Sequence, residues 1–206
     1  MKKYFVPLLA FFCVGVCMLS AQEAIKVDRV DFNSLNDDWI QMEIKLSCEG
    51  NPKPDARHRN YVEKIKLKAY IAFERDAKTR SYDYYTSEIE ILIMEKGDDN
   101  NVYFFLPGLI VERDQLQTTP DFYYVEVSVD GEVQKPQKAA MSSSIPNLDI
   151  LNSFTSKANS EGAVNEHMLM PIYLVAGSGV DVGRVSDLPA FLRKDVRDST
   201  NIYGLT

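Results

Sequence analysis

Few residues in this chain have the types and spacing that chemistry needs. Its two histidines are His58, set within Arg57-His58-Arg59, and His167, which follows Glu166. Cations on both sides of His58 repel a metal ion. Neither histidine belongs to an H-x-x-x-H or C-x-x-C spacing, so zinc has no ligand set. Gly177-Ser178-Gly179 is not G-x-S-x-G and reads as a turn, not a nucleophile elbow. Gly179-Val180-Asp181-Val182-Gly183 lacks the Lys and Ser/Thr of a phosphate loop. Asp98-Asp99-Asn100-Asn101 offers oxygens to calcium without the spaced ligands and terminal Glu of an EF-hand, and reads as a hairpin turn. Glu88 and Glu90 project from one side of one strand, whereas a glycosidase needs acid and base across a cleft. Cys48 closes the alternating run Ile40, Met42, Ile44, Leu46, Cys48, which marks it as a small core hydrophobe. No catalytic, cofactor-binding or metal-binding residue is expected, and the chain reads as a non-enzyme.

The aromatic residues carry more information. With eleven Tyr and ten Phe, the chain concentrates them in Tyr82-Asp83-Tyr84-Tyr85, Tyr103-Phe104-Phe105 and Phe122-Tyr123-Tyr124. Alternate members of each cluster must point to opposite faces of a strand. An outward tyrosine stacks on a sugar or fills a protein interface, whereas an inward one fills the core. Tyr82, Tyr84 and Tyr123, with Tyr173 and Phe191 further on, are the candidate interaction residues. Lys64, Lys66 and Lys68 form a ladder on one strand face, read here as protection of a sheet edge.

The elements that must position these residues are mostly strands. Ile25 to Phe32 half-alternates, with a slip between Val27 and Val30 that predicts a bulge. Trp39 to Cys48 is the cleanest strand, with one apolar and one polar face as in an antiparallel sheet. A loop with two prolines and a glycine spans 49–60. Strands follow over about 61–74, 87–95 and 102–106, where Ile89, Ile91 and Ile93 are read as one buried face and Leu109-Ile110-Val111 as a resumption of the last strand. Another runs from Phe122 into the type I′ hairpin signal Asp130-Gly131. About seven strands with turn signals between them predict a mainly β fold, an immunoglobulin-like antiparallel β-sandwich over 22–140. Residues 141–206 read as a C-terminal extension with one or two short helices, docked on the sandwich or on a partner. Ser142-Ser143-Ser144 reads as a linker. Asn147 is placed to cap a helix through Leu148, Leu151 and Phe154, and 186–193 reads as a second short helix.

Residues 1–21 have the layout of a signal peptide. Lys2 and Lys3 precede an apolar run from Tyr4 to Leu19, and Ser20-Ala21 supplies the small residues of a cut. The expected location is therefore exported: periplasmic, outer-membrane-associated or secreted. Only Cys48 survives such a cut, so no intramolecular disulfide is expected. The formal net charge is −7, and loss of the two leader lysines takes it to −9. That acidity argues against nucleic acid as a partner.

Four stretches carry a resemblance: Leu19-Ser20-Ala21-Gln22-Glu23, Asp38-Trp39-Ile40-Gln41-Met42-Glu43-Ile44, Tyr123-Tyr124-Val125-Glu126-Val127-Ser128-Val129-Asp130-Gly131 and His167-Met168-Leu169-Met170-Pro171-Ile172-Tyr173. Together they make the chain resemble the exported immunoglobulin-like proteins associated with type IV pilus machinery in a mucin-dwelling gut bacterium. The resemblance implies a fold similar to the globular part of archaeal-type pilins and a non-catalytic structural or interaction role in a cell-envelope assembly. The prepilin leader of true pilins is absent, which favours an accessory or surface role over polymerisation. Expected partners are envelope proteins, type IV pilus components among them, a second copy of the chain, or a glycan. The alternative reading is a secreted glycan-binding sandwich that uses its outward tyrosines.

Overall fold

The computed structural model describes residues 23–177 and 179–192. The signal-peptide expectation for 1–21 and the Ser178 turn lie outside those residues. Among the described residues, no helix is long and apolar enough to cross a membrane.

Two antiparallel sheets pack face to face. The first has the order β1 (Ile25–Ser34), β2 (Ile40–Cys48), β5 (Asp99–Leu106), β8 (Met170–Pro171). The second has the order β7 (Glu132–Val133), β6 (Phe122–Val129), β3 (Tyr61–Asp76), β4 (Ser81–Glu95), β9 (Phe191–Leu192). The chain crosses between sheets after β2, β4, β5, β7 and β8, and the crossings that join β1 to β7 give the connectivity of an immunoglobulin-like sandwich. Alternation fixes what lies between the sheets. Met42, Ile44 and Leu46 of β2 and Val102, Phe104 and Leu106 of β5 meet Ile65, Leu67, Ile71 and Phe73 of β3 and Val125 and Val127 of β6, all buried. The expected bulge in β1 falls between Val27 and Arg29. Asp130 and Gly131 have φ of 52° and 82°, the two left-handed positions of a type I′ turn.

Several local expectations give way to the tertiary structure. The lysine ladder is not at an edge, because β3 lies between β6 and β4. Its lysines have partners on other elements: Lys66 lies 3.6 Å from Glu88 of β4, and Lys68 donates to Asn159 of the C-terminal segment at 2.8 Å. Leu109-Ile110-Val111 does not resume a strand; it belongs to helix α1 (Gly108–Asp114), which turns Ile110 and Val111 toward the core on the way from one sheet to the other. A Cβ on Gly108 would lie 1.9 Å from the Asp37 carbonyl oxygen, so only glycine permits this close approach. Ile93 faces outward because Lys64, opposite the Leu92–Ile93 stretch, takes φ 54° and the side-chain alternation changes phase there. Val62 and Met94 take the inward positions instead.

The C-terminal segment packs against both sheets. Ser142-Ser143-Ser144 is not a linker: Ser142 is buried, and its N–H donates to the Tyr123 carbonyl at 3.0 Å. Helix α2 (Leu148–Glu161) begins at Asn147, whose side chain accepts from the Ile150 N–H at 3.0 Å. It buries Leu151, Phe154 and Ala158 on the outer face of the second sheet, over Tyr70, Ala72, Tyr84 and Tyr124. β8 then extends the first sheet, with Pro171 tolerated at an edge. Helix α3 (Ile172–Val175) and Val180, Val182 and Val185 pack over Tyr103 and Phe105 on that sheet's outer face. The 186–193 stretch makes no helix in the described residues. Pro189 interrupts it, the Leu92 N–H donates to the Ala190 carbonyl at 2.8 Å, and Phe191–Leu192 pairs with β4.

One buried polar group fastens α1. The Tyr85 hydroxyl donates to Asp114 Oδ2 at 2.5 Å, and Arg113 donates to both carboxylate oxygens of Asp114. Burial pushes the Tyr85 phenol well above its usual range, so it remains a donor. The hydrogen bonds from Arg113, helped by Tyr85, outweigh the cost of burial and hold the Asp114 carboxyl below the ordinary carboxylate range.

Two predictions follow from this packing. Phe154→Ala removes the ring that covers Tyr70, Tyr84 and Phe122, and is expected to cost roughly 3 kcal/mol in urea unfolding. The stability contributed by Asp114 is fully present above its unfolded value of about 3.9 and is lost as pH falls through the lower folded value. The stability gap between the parent chain and Asp114→Asn should therefore be constant near neutrality and close in acid. A gap that persists unchanged to the lowest pH at which both variants fold contradicts this account.

Candidate functional site

The five candidate aromatic residues do not form one surface. Tyr84 is 5% exposed and sits beneath α2, with its ring 6.3 Å from that of Phe154. Its assignment as a surface contact is therefore corrected: the outward face of a strand is not a wet face when a helix covers it. Tyr82 lies at the rim of the same aromatic cluster, 5.4 Å from Phe122. Tyr123 is half-buried against Phe32, with ring centroids 5.3 Å apart. Tyr173 and Phe191 are brought together at 6.2 Å on the seam between α3 and β9. The covered phenols respond to their surroundings, and burial pushes the Tyr70 hydroxyl up to about 12.

A concave site is present at one end of the sandwich. A cleft of about 650 Å³ lies between the β2–β3 loop, the β6–β7 hairpin and the entry to β1. In immunoglobulin variable domains the loops joining the equivalent strands at one end of the sandwich are the recognition loops. Each wall is held by its own hydrogen bonds. The loop closes at its base, where the Asn51 N–H donates to the Arg59 carbonyl at 2.8 Å. The start of β1 is fixed by Gln134, whose Oε1 accepts from the Ala24 N–H at 2.9 Å and whose Nε2 donates to the Ile25 carbonyl at 2.7 Å. Gln137 repeats the device on Val27 at 2.7 Å. Side-chain amides thus take the place of a neighbouring strand.

Charges tie the walls together. Lys53 of the loop lies 3.7 Å from Asp130 and 3.6 Å from Glu132 of the hairpin. Lys64 donates to Asp130 at 3.0 Å. The Lys64 hydrogen bond, with Lys53 nearby, holds the Asp130 carboxyl below its ordinary range. Arg57 and Lys135 also line the cleft and have no ion-pair partner among the described residues. Val129 and Val133 supply an apolar wall, and Tyr61 presents its ring beside His58, with centroids 6.3 Å apart. This mixture of positive, negative, aromatic and aliphatic groups suits a polar polymer or a protein segment.

The residues weighed for catalysis are dispersed. His58 lies in the cleft, whereas His167 lies 3.5 Å from Glu166 on the C-terminal segment. Among the described residues, no three His, Cys, Asp or Glu side chains come together as a metal site. Cys48 is buried, its thiol contacts the Met94 carbonyl at 3.8 Å, and burial raises its pKa. The cleft residues Lys53, Arg57, Tyr61 and Lys135 were not singled out from sequence. Their signal was the basic tripeptide Arg57-His58-Arg59 in a loop that the immunoglobulin-like strand order sets beside the Asp130-Gly131 hairpin.

No family model and no curated protein matches the chain. A crystal structure from Akkermansia muciniphila matches it with a TM-score of 0.57 and 15% sequence identity, over 82% of this chain and 93% of that one. At this identity the likeness is one of fold.

Cys48 supplies the prediction for this region. Thiol-reactive dye is expected to label it negligibly in the native chain and stoichiometrically in denaturant, because reaction requires opening of the core. Rapid native labelling would show that its end of β2 opens locally.

Proposed function

We propose that this chain is a non-catalytic, exported interaction module of the cell envelope, and that it engages a protein partner through the cleft between the β2–β3 loop and the β6–β7 hairpin. The carrying observation is where the cleft lies. The C-terminal segment packs on the outer faces of both sheets, while the loop end stays open and concave. Arg57, Tyr61 and Lys135 are the residues assigned to contact the partner. The periplasm, the outer membrane or the medium is the compartment implied by the leader. Type IV pilus machinery is the assembly to which the sequence resemblance points. The sandwich shared with the Akkermansia muciniphila structure is compatible with that role and identifies no partner. The glycan-binding alternative has less support, since Tyr84 is under α2 and the other proposed tyrosines are separated.

The test is affinity purification of the tagged full chain from its own cells, with and without the paired changes Arg57→Glu and Lys135→Glu. Envelope components, pilus or secretin subunits among them, are expected to co-purify stoichiometrically with the parent. The cleft variant should bind them about tenfold more weakly, equivalent to ~1.4 kcal/mol. Its melting temperature should stay close to that of the parent, as is usual for exposed substitutions. Recovery of the parent chain alone, or equal recovery by both chains, overturns the reading.

A further inference from the structure

Among the described residues, the sheet edges at β7, β8 and β9 are strands of two residues each. The remaining edge is β1, which has ten. Short edges, bulges and side-chain covers keep a sheet from pairing with other chains. β1 has such guards only over its first part. There the bulge falls between Val27 and Arg29, and Gln134 and Gln137 hold the outward backbone groups of Ile25 and Val27.

The register shows which groups are left beyond the bulge. The Cys48 N–H donates to the Asp98 carbonyl at 3.1 Å, so Cys48 and every second residue before it turn their backbone groups toward β5. Lys45, Glu43 and Gln41 turn theirs toward β1, where they face Arg29, Asp31 and Asn33. Val30, Phe32 and Ser34 therefore aim their N–H and C=O groups away from the sheet, and no described residue bonds to them there. Asn33 and Ser34 are exposed, and Phe32 is half-buried. This free stretch is bounded by the glutamine clamp at one end and by the turn at Asn36–Asp38 at the other.

An unpaired strand edge is satisfied by another extended strand. The occupant is indicated by the free stretch itself, whose centre is Phe32. A two-fold axis at Phe32 sets Val30 of each copy opposite Ser34 of the other, and Phe32 opposite Phe32. All of these residues then present outward backbone groups to one another, as antiparallel exchange requires. Asp31 stands opposite Asn33, so no like charges meet. An axis at Asp31 would instead set two carboxylates opposite each other, and an axis at Val30 would set Phe32 against the bulge. Charge along the strand is cancelled locally, since Lys26 lies 2.8 Å from Asp28 and Arg29 pairs with Asp31. Two copies can thus meet here although the whole chain carries a formal net charge of −7. The Phe32 ring, already packed on Tyr123, gains an aromatic cross-strand partner.

We propose that two copies of this chain pair antiparallel through residues 30–34 of β1, making the first sheet continuous across a two-fold dimer. The proposal does not rest on the cleft or on its partner. The paired stretch is shorter than a standard interface, so the dimer is weak, with a Kd of roughly 0.1 to 1 mM expected.

Sedimentation equilibrium and residue-resolved amide exchange test this on the chain purified from its own cells. A monomer–dimer equilibrium is expected. Exchange at Val30, Phe32 and Ser34 should about halve when total concentration reaches Kd, because half of the chains are then paired. Asp31 and Asn33, bonded to β2, should be protected at every concentration. Ser34→Pro removes an outward N–H without taking a bond from β2, and is expected to weaken association at least tenfold with the melting temperature near that of the parent. A chain that stays monomeric up to the millimolar range overturns the proposal. So does a dimer that leaves exchange at Val30 and Phe32 unchanged, since its contact lies elsewhere. Slowing of these amides only in the presence of a co-purified protein also overturns it, because the occupant is then a strand of that protein.

Discussion

A sheet that carries apolar side chains on both faces cannot stop at two layers, and this constraint organises the molecule. β3 sends Ile65, Leu67, Ala69, Ile71 and Phe73 into the space between the sheets, yet Tyr70 and Ala72 on its other side are also buried. β5 does the same with Val102, Phe104 and Leu106 on one side and Tyr103 and Phe105 on the other. Each outer apolar patch needs a third layer. Residues after Met141 supply both, as a helix on one sheet and as a strap with a short helix on the other. The extension therefore completes the fold, and its two short strands add to the β5 and β4 edges of the sandwich.

Covering the faces leaves the loop end of the sandwich open and concave. The end built from the β2–β3 loop and the β6–β7 hairpin is held by bonds that run between its parts: Gln134 to the start of β1, Lys53 and Lys64 to Asp130. Exposed ion pairs of this kind contribute little to global stability. Their effect is to fix the spacing of the walls, which lowers the ordering cost of binding. Arg57 and Lys135 line the same cleft outside that network.

How much of this was legible in the sequence depends on the range of the interaction. Period-two alternation in 40–48 and 65–73, the bulge near Val27, the type I′ signal at Asp130-Gly131 and the cap at Asn147 are local, and each is found where the residues place it. Alternation tells which side chains share a face but not whether that face is covered. Hence Tyr84 reads as outward and is buried by a helix some seventy residues later. Three apolar residues such as Leu109-Ile110-Val111 fit a strand or a helix equally, and the choice is made by the crossing between sheets and by the Tyr85–Asp114 bond. Strand order is what makes the lysine ladder central and brings Lys53 to Asp130; neither follows from spacing along the chain.

The glutamine clamps on β1 have a mechanical consequence. Ala24, Ile25 and Val27 are gripped from one side by β2 and from the other by Gln134 and Gln137. Tension applied through the residues that precede Ala24 runs along the strand axis, so these bonds are loaded together in shear and cannot be opened one after another like a zipper. Survival under load is governed by the rate of unfolding, not by equilibrium stability. A chain tethered at its N-terminal side would thus meet these bonds together, at the first strand of the fold.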